Sequence, residues 1–142
     1  MDAETGEEQL LVNTIGDFDG TVATNVESGE YLLDIQADGS WEAGIEQPRY
    51  SVAEVSSLPA DASEEDYAVL GPFQFEGVTR FTIDAETDGN VIAYLMDHRG
   101  NEVQLLVNEI GPHEGSTTIR QQGVGLIYVE TEDSWIVTLE QA

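Results

Sequence analysis

The sequence predicts an all-β fold, an antiparallel β-sandwich built from two pseudo-repeats, and three observations carry that prediction. Helical periodicity is nearly absent, and short runs rich in Val, Ile, Leu, Thr and Tyr alternate with turn residues. Asp-Gly pairs fall between those runs, where tight hairpins need positive backbone dihedrals. The octet Gln9-Leu10-Leu11-Val12-Asn13-Thr14-Ile15-Gly16 returns as Gln104-Leu105-Leu106-Val107-Asn108-Glu109-Ile110-Gly111 with a single mismatch.

Taken along the chain, the predicted strands are 10–14, 21–26, 30–36, 41–46, 50–55, 68–70, 73–75 and 79–83, followed by 91–96, 103–108, 117–120, 125–131 and 135–140. Asp38-Gly39 and Asp88-Gly89 are read as hairpin turns, as is Arg99-Gly100-Asn101, and hairpins imply antiparallel neighbours. The stretch 56–66 is polar, acidic and contains Pro59, and it reads as the longest exposed loop. A chain of 142 residues with 40% hydrophobic content fits one domain, spanning 1–142, able to bury roughly two-thirds of its unfolded surface.

The duplication extends past the octet, giving repeat cores at 9–47 and 104–141. Gly20 matches Gly115; after a one-residue deletion Ser40-Trp41 matches Ser134-Trp135, and Glu46-Gln47 matches Glu140-Gln141. The recurring pairs Leu33/Ile127, Ile35/Val129, Trp41/Trp135 and Ile45/Leu139 are the expected core positions. The second copy is preceded by extra strands over 73–96, which the first copy lacks. A first copy standing alone would have an open edge and an uncovered apolar face. Two remedies are expected: both copies share one sandwich, closed by 50–55 and 68–70, or a partner chain supplies the missing strands.

The phrases LLVNTIGDFDG, SGEYLLDIQADGSWEAGIEQPR, VLGPFQFEG and LLVNEIGPHEG resemble the repeated phrases of uncharacterised β-rich tandem-repeat proteins of haloarchaea and actinobacteria. The resemblance covers nearly all of residues 9–141. It implies a secreted protein or lipoprotein and brings no catalytic residues. The chain departs from such proteins in lacking strands before the first LLVN phrase.

Charge bounds the setting. Asp and Glu total 29 against four basic residues, all arginine (Arg49, Arg80, Arg99, Arg120), for a net charge of -25. Self-repulsion on this scale destabilises a compact state in dilute buffer, whereas at molar salt the Debye length falls to about 3 Å. Carboxylates interleaved with apolar residues argue against disorder, and their even spread argues against mimicry of nucleic acid. Evenly spread acid without lysine reads as the surface of a halophile's protein. Nucleic-acid binding is disfavoured, because no basic patch exists to displace counterions. No run approaches the roughly 18 apolar residues of a membrane-spanning helix, and the opening residues do not form a signal peptide. With no cysteine, disulfides, zinc-thiolate sites and thiol nucleophiles are excluded.

The best ligand-like cluster is Asp17-Phe18-Asp19-Gly20. Asp17 and Asp19 offer two carboxylates at alternate positions before a glycine, suited to calcium, which takes about six to eight oxygen ligands. The twin positions read Pro112-His113-Glu114, so the pair is not repeated, and an acidic turn in a halophile protein is the commoner explanation of it. His98 and His113 stand alone in separate turns and lack zinc-site spacing. There is no Gly-x-Ser-x-Gly elbow, phosphate loop or His-Glu-x-x-His helix, so no enzyme is expected.

The expected function is a non-catalytic interaction module of a halophilic microbe, extracellular or anchored at the cell surface, without a cofactor. It would bind protein or glycan through loops or an exposed edge, and an open edge would also allow oligomers. The alternatives are a calcium-stabilised structural module and, third, an enzyme acting on polysaccharide; the alternative location is the cytoplasm of a salt-accumulating halophile. Circular dichroism from dilute buffer to multimolar KCl checks the setting. Structure should be lost in dilute buffer and kept in concentrated salt; full stability in dilute buffer would remove the halophile reading.

Overall fold

The structure, a computed structural model, describes residues 6–47 and 54–141. Its strands are β1 (Ala60–Glu65), β2 (Ala68–Ala85), β3 (Asn90–Asp97), β4 (Glu102–Ile110), β5 (His113–Val129) and β6 (Ser134–Gln141). All pair antiparallel in one sheet of order β1-β6-β2-β5-β3-β4. No α-helix occurs among the described residues.

Two strands are much longer than their apolar runs suggest. The runs 68–70, 73–75 and 79–83 are one strand, β2, and the runs 117–120 and 125–131 fall largely within another, β5. Each long strand serves two neighbourhoods. The first half of β2 pairs with the second half of β5, which also carries β3; the second half of β2 pairs with the first half of β5 and with β6. The register between β2 and β5 shifts between Leu70 and Phe73, where Gly71 takes φ +108°. A Cβ at Gly71 would sit 3.0 Å from the Phe73 ring, so glycine suits that irregular step. Gly125 allows close approach from both sides: a Cβ there would lie 3.0 Å from the Phe75 ring and 3.1 Å from the Met96 carbonyl oxygen.

One face of the sheet encloses the main core. Phe75, Phe81, Ile83, Ile119, Ile127, Trp135 and Leu139 are fully buried, in period two along their strands. A second cluster lies around Met96, Leu126 and Tyr128, with Val22, Ala23, Tyr67, Val69 and Tyr94 packed against it. Residues 18–25 cover this cluster as a strap. Thr21 N–H donates to the Tyr67 carbonyl at 2.8 Å, and the Phe18 ring meets Tyr67 edge-on at 5.3 Å.

The region 56–66, expected as a loop, contains β1. Its period-two signal is carried only by the small Ala60 and Ala62, which pack on the core, while its other side chains are exposed. Asp88-Gly89 does not close a hairpin, because β5 lies between β2 and β3 in the sheet. Of the three expected hairpin turns, Arg99-Gly100-Asn101 does join paired neighbours, β3 and β4. Most of the expected strand 50–55 lies outside the described residues.

The two repeat copies differ in form. The second, 104–141, includes nearly all of β4 with β5 and β6, and its positions Ile127, Val129, Trp135 and Leu139 are buried. In the first, 9–47, the expected strands 10–14, 21–26, 30–36 and 41–46 do not form; beyond an isolated bridge at Tyr31 the described residues show no strand. Of its expected core positions, Ile35 is half-buried, whereas Leu33, Trp41 and Ile45 are exposed. The physical reason is in the strand order: β4, β5 and β6 never neighbour one another and are always separated by β2 or β3. Among the described residues the first copy has no counterpart of those separating strands.

Contacts divide the chain into two units, Met1–Asn13 with Val26–Arg49, and Thr14–Asn25 with Tyr50–Ala142. The second holds the sheet and strap. In the first, the Tyr31 hydroxyl donates to the Glu27 carbonyl at 2.6 Å.

Trp135 is 1% exposed and Trp41 57%. Trp135→Ala should therefore cost about 3–5 kcal/mol, and Trp41→Ala should change stability by no more than about 0.5 kcal/mol. Denaturant melts of both variants check this, and acrylamide should quench the emission of one tryptophan far more than the other.

Candidate functional site

The sheet has two edges of opposite chemistry. β1 is six residues long and exposes Asp61, Glu64 and Glu65, charges that discourage addition of another strand. β4 is nine residues long, and Val103, Leu105 and Ile110 are exposed on it while Leu106 and Val107 turn into the core. This split follows from the register shift between Ala93 and Tyr94 in the pairing with β3, which leaves Leu106 as the extra residue.

Across from β4 lies the first half of β5, and the two strands approach without forming a ladder. They are bridged by side chains instead. The Thr117 hydroxyl donates to the Leu106 carbonyl at 2.8 Å, and the Gln104 amide donates to the Thr118 carbonyl at 3.1 Å. Between them is a cleft of about 320 Å³, with Phe81 and Ile83 of β2 among its lining and His113 and Ser116 contributed by β5. Phe81 and Ile83 are almost fully buried beneath it, so the apolar side chain the cleft presents beside strand backbone is Leu105.

A second, larger cleft of about 840 Å³ lies where the strap meets the ends of β1, β2 and β6. Asp19, Glu64, Glu65, Asp66, Asp84 and Glu86 line it. Asp66 has a structural task here. Its carboxylate accepts from the Asp19 and Asp133 amides, each at 3.3 Å, and its carbonyl accepts the Trp135 indole N–H at 2.9 Å. It does so from a left-handed backbone conformation, φ 61°, which Asp tolerates better than most side chains. Strap, turn and buried indole thus meet at one residue.

Of the two carboxylates expected to hold calcium, Asp19 lines this cleft and Asp17 is exposed on the strap's approach. Asp84 and Glu86 reach the same cleft, whereas Asp97 and Asn101 form the β3–β4 turn. Among the described residues, no three carboxylate or imidazole groups converge to hold a metal ion. His98 is exposed in the β3–β4 turn, and His113 lies at the start of β5 on the smaller cleft.

Ionisable groups elsewhere serve the fold. Burial works against ionisation of Asp97, but the Asn101 side chain, the Asn101 and Arg99 amides and the nearby His98 hold its carboxyl below the usual carboxylate range. The Asn25 side chain donates to Asn101, fixing the end of the strap to that turn. Burial, with Glu130 as the leading charge, raises the phenols of Tyr67, Tyr94 and Tyr128 above the ordinary tyrosine value, so they stay neutral at physiological pH. Tyr94 and Tyr128 stack at 6.3 Å. Neutral phenols packed in an aromatic cluster suit a scaffold better than acid–base chemistry.

Sequence inspection missed the bridging roles of Thr117 and Gln104 and the task of Asp66. Nothing in local pattern marks them, because each acts across the sheet. Compared with known proteins, the chain matches no family model, no curated protein and no solved structure.

Asp66→Ala removes two amide acceptors and places alanine at a positive φ, so it should cost about 1–3 kcal/mol. Asp66→Asn keeps an acceptor oxygen and tolerates the backbone, and should cost clearly less. Thermal melts at fixed multimolar salt compare the two; equal losses would mean the carboxylate's bonds contribute nothing.

Proposed function

We propose that the protein is a non-catalytic interaction module of a halophilic microbe, outside the cell or at its surface, that takes up an extended protein segment along β4. The contrast between the two sheet edges carries this proposal. One edge is short and acidic; the other is longer, exposes Val103, Leu105 and Ile110, and borders a cleft shared with β5. A segment entering there would gain backbone hydrogen bonds from strand addition and specificity from alternate side chains.

Lysine-free, evenly acidic composition supports the brine setting. The repeated phrases resemble those of secreted haloarchaeal and actinobacterial proteins, which favours the extracellular placement over a salt-laden cytoplasm. A sandwich built from two pseudo-repeats remains part of the proposal, with the first copy completed in the bound or assembled state. Glycan capture is a second reading, favoured by the exposed indole of Trp41. Calcium stabilisation is another, favoured by Asp19 lining the acidic cleft beside Asp66 and Asp84.

The test is a titration of isotope-labelled protein in multimolar KCl, using envelope proteins and envelope polysaccharide from a halophile separately. Amide resonances of 102–110 should shift with protein and be unmoved in a Val103→Lys, Leu105→Lys variant. Shifts confined to Trp41 on adding polysaccharide would favour glycan capture, and a higher melting midpoint with calcium than with chelator would favour the cation. No response of β4 to any protein fraction would sink the edge proposal.

A further inference from the structure

The chain contains three Asp-Gly pairs, Asp19-Gly20, Asp38-Gly39 and Asp88-Gly89, and no Asn-Gly pair. Asp-Gly is among the more reactive dipeptides of a polypeptide. The glycine nitrogen, with no Cβ beside it, attacks the side-chain carboxyl carbon of the preceding aspartate wherever the backbone is free to turn the two together. An N–Cγ bond forms, the carboxyl hydroxyl leaves with the amide proton as water, and a cyclic imide results. Water then opens the ring. Cleavage at the Cγ carbonyl restores aspartate, whereas cleavage at the α-carbonyl leaves isoaspartate, with Cβ in the main chain and the α-carboxylate free. Solvent water is the sole co-reactant, and the charge is the same before and after.

All three aspartates are exposed, so access to solvent does not separate the pairs. The hold on the glycine peptide does. The Gly89 N–H donates to the Thr87 hydroxyl at 3.0 Å, and the Gly89 carbonyl accepts the Gly111 N–H at 2.8 Å. Thr87 is buried, which fixes its hydroxyl, and β3 begins immediately after Gly89. Gly20 is gripped from both sides: the Asp19 N–H donates to the Asp66 carboxylate at 3.3 Å and the Thr21 N–H to the Tyr67 carbonyl at 2.8 Å. A Cβ at Gly20 would lie 2.8 Å from both the Phe18 ring and the Tyr67 carbonyl oxygen. At either pair, turning the glycine nitrogen onto the carboxyl requires tertiary contacts to break. Asp38-Gly39 has no such hold. It forms a bend, neither residue has a hydrogen-bond partner among the described residues, and none of those residues comes within 4 Å of a Cβ built at Gly39.

We propose that Asp38 is a modification site at which the folded chain converts spontaneously to isoaspartate, while the fold protects the chemically equivalent pairs at Asp19 and Asp88. The product keeps the carboxylate and so preserves the acidic surface, but it lengthens the main chain in the segment that carries the exposed Trp41. Isomerisation at Asp88 or Asp19 then marks opening of the sheet or the strap, because each needs its tertiary hydrogen bonds to break first. This inference stands apart from the interaction-module reading and uses none of the β4 edge.

The full chain is held at neutral pH in multimolar KCl, sampled over time, desalted and cleaved after glutamate. Asp19, Asp38 and Asp88 then fall in separate peptides, 9–27, 31–42 and 87–102. Mass-spectrometric fragmentation across the Cα–Cβ bond, which lies in the main chain only in isoaspartate, locates and counts the product. It should accumulate at Asp38 at least about tenfold faster than at Asp19 or Asp88, whose hydrogen bonds must open first. With urea added to the same salt the three rates should converge, because each aspartate is followed by glycine. Gly39→Ala, which the open bend accommodates, should slow Asp38 severalfold and leave the circular dichroism unchanged. Thr87→Val keeps the side-chain shape without the acceptor and should speed Asp88 severalfold. Equal rates at the three sites of the folded chain would overturn the proposal. So would an Asp38 that stays unmodified in the folded chain while urea releases it, which means the bend is held as firmly as the other two pairs.

Discussion

Everything in the folded unit depends on the interleaving of two sets of strands. β2 lies between β6 and β5, and β5 lies between β2 and β3, so strands from one repeat are held by strands that are not part of it. A strand leaves half of its backbone groups and one apolar face unsatisfied until it has neighbours on both sides. Positions equivalent to the buried strands of 104–141 show no strand among the described residues of 9–47. The opening octet is nearly constant between copies, whereas 32–47 matches 126–141 at five of sixteen positions, and the supply of partners differs as well.

Length of strand is the second consequence. β2 and β5 must reach two groups of neighbours, which needs 18 and 17 residues where their apolar runs are only a few residues each. Glycines at the irregular step and at the closest approach let the paired strands change register and pass beneath aromatic rings without clashing. The strap 18–25 then covers the cluster around Tyr128, and Asp66 and the Asp97 turn anchor it at either end.

Acid is distributed in a way consistent with these demands. Among the described residues, carboxylates lie mostly at outward positions and in turns, and some with internal tasks accept backbone amides. The short β1 edge carries several of them and the β4 edge fewer. The phenols beneath the strap remain protonated because burial and neighbouring carboxylates both oppose the phenolate.

Class, strand-rich character and most strand centres after residue 67 were legible in the sequence, because period-two alternation is a local property that each strand carries by itself. Asp19 was legible as a ligand-like carboxylate, though not its place on a cleft with Asp66 and Asp84. β1 was hidden because alanines and acids make a weak alternation, and the Asp88-Gly89 turn misled because turn chemistry does not reveal which strands flank it. By itself the sequence determined the all-β class, the duplication and the acidic surface. Tertiary structure alone decided that the copies differ in form, that Trp135 is buried and Trp41 exposed, and that β4 meets β5 through side chains and not through a ladder. Pairing energy depends on neighbours distant in the chain, and tryptophans at equivalent positions with different neighbours differ in burial.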